Sequence, residues 1–187
     1  MKKRAAPPTV FTIGHSTLEL GKFIDVLHAH GVRRIVDVRT IPRSRHNPQF
    51  NLETLPGALK EAGIDYTHLP GLGGLRRTRP DSPNKAWRNA SFRGFADYMQ
   101  TADFADELER LIGLAGQTPS ALMCAEAVPW RCHRSLIADA LTVRGIPVEH
   151  ISSATHRRPH VLTPWARVDG LRITYPEEAS GTAASGG

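Results

Sequence analysis

Thr9-Val-Phe-Thr-Ile-Gly-His-Ser-Thr-Leu-Glu-Leu-Gly-Lys-Phe-Ile-Asp-Val-Leu-His-Ala-His-Gly-Val-Arg-Arg-Ile-Val-Asp-Val38 holds two short apolar runs separated by a segment with helical spacing. Thr9 to Ile13 reads as a buried strand. Ser16-Thr-Leu-Glu19 has the spacing of a capping box, and Leu20, Phe23, Ile24 and Leu27 share one face of the helix it would open. Gly31 ends that helix, and Arg34-Ile-Val-Asp-Val38 is a second apolar strand. Strand, long helix and strand in this order imply a parallel pair with a right-handed crossover.

The alternation continues outward. Arg39 to Phe50 turns to Pro, Arg, Ser, His and Asn, the composition of a functional or mobile loop. Leu52 to Ala62 reads as a short helix with Asn51 as its cap and Pro56 limiting its regularity. Ile64 to His68 is a third strand, followed by Leu69-Pro-Gly-Leu-Gly-Gly74 and an Arg-rich loop. Helical spacing runs from Phe92 to Ala115 with a break near Thr101. Pro119 to Met123 is a fourth strand, Leu136, Ile137, Ala140 and Leu141 mark a helix face that Gly145 closes, and Ile146 to Ile151 is a fifth strand. The pattern predicts one three-layer α/β domain over residues 9–175, with a mostly parallel central sheet of about five strands flanked by helices. Residues 1–8 read as a flexible arm and 176–187 as a disordered tail.

At 187 residues and 40% apolar content the chain is long enough for one buried core. No run approaches the roughly 18 apolar residues of a membrane span, and Met1-Lys-Lys-Arg4 leads into Ala-Ala-Pro-Pro instead of a signal core, so a cytoplasmic protein with no membrane partner is expected. Two cysteines make no disulfide framework; they are expected as thiols, thiolates or metal ligands, with a redox-active pair as the secondary reading. The net charge is +6, carried by 19 Arg against 5 Lys, and the pI is about 9.8. Arg matches phosphate bidentately, which points to an anionic small molecule or nucleic acid as partner, although a GC-rich genome gives the same excess. Clusters at Arg43-Ser-Arg-His46, Arg76-Arg-Thr-Arg79 and Arg157-Arg-Pro-His160 fall in segments that read as loops.

Ligands in parallel sheets bind beyond the carboxyl ends of the strands. Those ends carry His15 and Ser16, Asp37 and Arg39, His68 with the glycine loop, and Cys124 with Glu126. Ser16 is first a helix cap, but the helix start there also suits an anion. Asp37, flanked by two valines, either pairs with Arg39 or touches substrate. The densest segment is Cys124 to Arg134, where Cys132 precedes a helix whose dipole favours a thiolate. Cys124 reads as a packed residue or a lesser nucleophile, and His133 as a packed ring or an acid–base group. Glu126, two residues past a buried strand and near His133 and Arg134 in sequence, suits acid–base work. The phosphatase loop is excluded, because the positions six beyond each cysteine are Trp130 and Ala138 instead of Arg. No metal is favoured; Cys124, Cys132 and His133 would be its ligands, with His15 or Glu126 as a fourth. Gly71-Leu-Gly-Gly74 fits neither the triphosphate nor the dinucleotide loop, and Gly73 and Gly74 are better read as bringing backbone close to a ligand.

Thr12-Ile-Gly-His-Ser16, Val36-Asp-Val-Arg39 with Pro42 and Ser44, Tyr66 through Gly74, and Met123-Cys-Ala-Glu126 with Cys132-His-Arg134 together resemble the domain of unknown function 488 family over roughly residues 10–151. The resemblance implies a compact α/β fold and a site clustered at these residues, and no assigned activity. The expected function is a hydrolase or group transferase for an anionic, phosphate-bearing substrate such as a nucleotide or nucleic acid. In it Glu126, His133, Cys132, Cys124 and Asp37 are the catalytic candidates, and His15, Ser16, Arg39, Arg43, Ser44, Gly73, Gly74 and Arg134 the anion-binding ones. The rival readings are a non-catalytic nucleic-acid-binding module and a metal-binding protein.

Overall fold

A computed structural model describes residues 6–178; the far ends of the expected arm (1–8) and tail (176–187) lie outside the described residues. The chain runs β1 (Val10–Gly14), α1 (Leu20–Ala29), β2 (Arg34–Asp37), α2 (Leu55–Glu61), β3 (Asp65–His68), α3 (Ala90–Tyr98), α4 (Ala102–Gln117), β4 (Ser120–Cys124), α5 (Arg134–Val143) and β5 (Val148–Ser153), then β6 (His156–Pro159), β7 (Arg167–Asp169) and β8 (Arg172–Thr174). The central sheet has the order β3-β2-β4-β1-β5-β6. Its first five strands are parallel, and β6 is antiparallel at the edge.

Strand β4, Ser-Ala-Leu-Met-Cys, is buried along its whole length because the sheet is covered on both faces. Side chains alternate across a strand, so Met123 and Ile35 join Phe23 and Leu27 of α1 and Leu55 and Leu59 of α2 in one layer. Leu122 and Val36 join Phe104, Leu108 and Leu111 of α4 and Leu136 and Ile137 of α5 in the other. Each fully buried Leu or Phe contributes about 2 kcal/mol. The predicted break near Thr101 is real: its hydroxyl accepts the Phe104 N–H and caps α4. Among the described residues, no helix is long and apolar enough to cross a membrane.

The mostly parallel sheet of about five strands is present, and β6, His-Arg-Arg-Pro, exposed throughout and without an apolar pattern, adds a sixth at its edge. Two expectations need correction. Ser16 does not cap α1: the helix starts at Leu20 with Glu19 at its cap position and no side-chain cap bond. The Ser16 N–H goes instead to Ala125 O and the Leu18 N–H to His15 O, and Ser16 takes a left-handed φ of 47°. Those two N–H groups are therefore not free for an anion. Asn51 does not cap α2, which starts beyond Thr54; its side-chain oxygen accepts the Ser44 N–H at 2.6 Å and pins the Arg39–Phe50 loop.

From β1 the chain crosses by α1 to β2 on one side, whereas from β4 it crosses by α5 to β5 on the other. The loops leaving the neighbouring ends of β1 and β4 therefore diverge and open a crevice there. Gly14, paired with Cys124 at that point, is a glycine because a Cβ would collide with the Glu126 carbonyl as the loop after β4 passes over it.

Candidate active site at Cys132 and His133

A cavity of about 450 Å³ lies beyond the ends of β2 and β4, walled by Arg43, Ser44, Gly74, Arg131, Cys132 and His133, with Arg39, Cys124 and Glu126 also on its lining. Cys132 and Cys124 are 6% and 3% exposed, and their sulfurs are 2.8 Å apart. The Cys132 sulfur also lies 3.6 Å from His133 Nδ1 and accepts the Arg134 backbone N–H at 3.5 Å at the start of α5. His133 Nε2 is 3.1 Å from Val38 O. A carbonyl only accepts, so Nε2 carries the proton and Nδ1 presents a lone pair to the thiol. Phe95 packs against the ring, with centroids 5.1 Å apart.

This arrangement splits the two thiols. The hydrogen bond from Cys124, together with His133 and Arg134, holds Cys132 well below the ordinary thiol range against the opposing effect of burial. Burial and the bond to Cys132 push Cys124 up. These opposite shifts favour Cys132 over Cys124 as the thiol that gives up its proton, with His133 Nδ1 beside it to receive it.

Arg134, 1% exposed, has no carboxylate beside it among the described residues. Its Nη2 donates to Glu126 O and Ala127 O, and its Nη1 to Thr12 Oγ1 at 3.2 Å. From there a chain of hydrogen bonds runs inward. Thr12 Oγ1 lies 2.7 Å from His150 Nδ1, His150 Nε2 lies 2.9 Å from His160 Nδ1, and His160 Nε2 donates to Asp139 Oδ1 at 2.7 Å. Tyr175 OH donates to the other oxygen of Asp139 at 2.7 Å. The buried cation and the buried carboxylate are thus joined through Thr12, His150 and His160.

The family described as "Domain of unknown function DUF488" matches residues 19–141. The chain belongs to the DUF488 family. No curated protein and no solved structure matches it. The DUF488 match takes in Cys124, Cys132, His133 and Arg134, whereas Thr12, His15, His150, His160 and Tyr175, which support them, lie outside the matched residues.

Within this DUF488 domain the predicted site residues separate into two sets. Cys124, Cys132, His133, Glu126, Arg39, Arg43, Ser44 and Gly74 share the cavity wall. Asp37, Arg39 and His15 form a second, internal unit. Asp37 pairs with Arg39 (Oδ2–Nη2 2.6 Å, Oδ1–Nε 2.9 Å) and accepts from Tyr66 OH at 2.7 Å. Arg39 also donates to Phe50 O. The ion-pair reading of Asp37 is the one the geometry matches. His15 stacks on Phe50 at 4.2 Å, donates from Nδ1 to Ser16 O, and accepts from Arg39 Nη1 at 3.3 Å. Gly73 lies against Thr40, where a Cβ would clash. The Glu126 carboxylate accepts the Val128 N–H, and it is the Glu126 backbone carbonyl that meets Arg134. Among the described residues, no group of three or more His, Cys, Asp or Glu side chains is placed to hold a metal ion.

Gly74 passes close to the His133 ring: a Cβ there would lie 2.7 Å from His133 Nδ1. Gly74→Ala is expected to displace the imidazole, slowing iodoacetamide alkylation of Cys132 roughly tenfold at pH 7 while costing about 1 to 3 kcal/mol in urea unfolding.

Burial holds His15 neutral down to a pKa of about 4, and burial with His160 and Arg134 holds His150 down to about 3, both from 6.5. The unfolded chain takes up these protons first as pH falls. Stability from the two neutral rings is fully present above about pH 6.5 and is lost as pH drops through 4 and then 3. Urea titrations are expected to show a loss of about 3 kcal/mol from His15 alone over that range, with a shallower slope in His15→Gln.

Proposed function

We propose that this protein is a cysteine-dependent hydrolase or group transferase for an anionic, phosphate-bearing substrate of nucleotide size. The reading rests on one observation above all: the Cys132 sulfur on a cavity wall, against an imidazole nitrogen whose partner at Val38 leaves it free to take the thiol proton. His133 takes that proton, the thiolate attacks the electrophilic atom of the substrate, and the imidazolium returns the proton to the leaving group. Arg131 on the wall supplies positive charge, and Arg43, paired with Glu53, stands on the same wall. The starts of α3, at Asn89 and Ser91, and of α5, at His133, also face the cavity and favour negative charge. The volume lies within the range of small-molecule pockets, which favours a nucleotide over a polymer.

The nucleic-acid-binding reading loses support because several arginines of its clusters already have partners on the protein. Arg76 covers the Tyr98 ring at 3.6 Å and donates to the carbonyls of Gly71 and Gly73. Arg79 pairs with Asp81, Arg157 with Glu149, and Arg158 lies over Trp130.

Competitive alkylation tests the proposal. Iodoacetate, the anion, is expected to label Cys132 at least as fast as neutral iodoacetamide, with inorganic phosphate protecting the thiol and Arg131→Ala reversing the preference. Equal labelling in wild type and Arg131→Ala, without phosphate protection, sinks the anionic substrate class.

A further inference from the structure

Cys124 has no part in the reaction proposed above, yet it is the nearest group to the nucleophile. β4 fixes it at its last residue, in register with Gly14, and Cys132 is fixed at the entry to α5. Their sulfurs, 2.8 Å apart, need close by less than about 1 Å to reach the ~2.05 Å of a disulfide bond. Both line the same cavity, so a small reagent that reaches one finds the other behind it. We propose that Cys124 is the resolving thiol of Cys132, and that the pair reduces hydroperoxides by passing through a reversible intramolecular disulfide. The inference rests on the Cys132 thiolate of the proposed function but not on its substrate.

The chemistry balances as follows. The Cys132 thiolate attacks one peroxide oxygen of ROOH; the S–O bond forms as the O–O bond breaks, and the alkoxide takes a proton from the His133 imidazolium to leave as ROH. The Cys124 sulfur then attacks the Cys132 sulfenic acid; the S–S bond forms, the S–O bond breaks, and hydroxide leaves with the Cys124 proton as water. Two thiols are oxidised, one peroxide is reduced by two electrons, and a dithiol reductant restores the site. Arg134 supplies the reason for reversibility. Buried without a carboxylate and with its Nε unpartnered among the described residues, it relies on the thiolate for local counter-charge. The disulfide removes that charge and leaves the guanidinium uncompensated, so the reduced state is the favoured one.

The test uses the full chain and hydrogen peroxide, read by intact mass and thiol titration. The expected result is loss of two hydrogen atoms and of both free thiols, recovered by dithiothreitol, at roughly ten times the rate of free cysteine at pH 7. A proteolytic digest should join the Cys124 and Cys132 peptides of one chain. In Cys124→Ser the same treatment should add oxygen to Cys132 and progress to a form dithiothreitol does not reverse. Oxygen addition to wild type without the cross-link, a disulfide only between chains, or oxidation no faster than free cysteine would each overturn the proposal. The wild-type readout stands even where the variant fails to fold. Rapid alkylation of Cys132 with no intramolecular disulfide sinks the redox pair alone; a disulfide with no preference for iodoacetate sinks the anionic substrate class alone.

Discussion

Replacing His133 by Ala moves the pH midpoint for alkylation of Cys132 upward and slows its reaction with iodoacetamide at pH 7 by roughly 10- to 100-fold. Among the described residues, the imidazole is the base in contact with the Cys132 sulfur, through Nδ1 at 3.6 Å, and its other nitrogen is committed to Val38 O. Removing it leaves Cys124 and the start of α5 to stabilise the thiolate, against the desolvation that raises a buried thiol. His133→Gln is the informative companion, since an amide keeps a donor for the Val38 carbonyl but takes no proton. If both variants alkylate with the wild-type pH profile, His133 is a packing residue against Phe95 and not a base.

Asp139→Ala costs about 3 to 5 kcal/mol of unfolding free energy, the penalty for deleting one side of a buried charge arrangement. The carboxylate is fully buried and accepts from His160 Nε2, the Thr163 N–H and the Tyr175 hydroxyl. All three lose their partner around a fully buried site, while Arg134 loses the negative end of the hydrogen-bond chain that faces it. Urea unfolding followed by tryptophan fluorescence measures the loss, and Tyr175→Phe, removing one donor and leaving the charge, should cost only about 1 kcal/mol. A loss under 1 kcal/mol in Asp139→Ala would mean that the carboxylate carries little of the local stability.

The inner strands β1 and β4 are legible because burial on both faces writes them as apolar runs, Val10-Phe-Thr-Ile13 and Ala121-Leu-Met123. β6 is not, because an edge strand exposed on both faces needs no apolar residue, and β7 and β8 are three residues each. The Ser16 spacing satisfies a capping box, but long-range geometry overrides it: the Ser16 N–H is claimed by Ala125 on the loop after β4. The pairing of Cys132 with His133 follows from adjacency and the approaching helix. The direction of the Glu126 carboxylate does not, since the turn through Val128 sets it. The relay of Thr12, His150, His160 and Asp139 draws on β1, β5, the segment after β6, and α5, so no local window contains it. Its one visible trace is Asp139 within the apolar stripe Leu136-Ile-Ala-Asp-Ala-Leu141, a carboxylate on an inward face that requires a partner.

The central place of β1 also sets a timetable. The strand lies between β4 and β5 and pairs with both and with no nearer segment of the chain. As the protein leaves the ribosome, Val10-Phe-Thr-Ile13 therefore waits for residues beyond Ser120, an interval of roughly 5 to 20 s at ordinary elongation rates. During that interval an apolar, β-prone tetrapeptide has no native mate. Thr12, which ends up between Arg134 and His150, reaches its station only after α5 and β5 have been made.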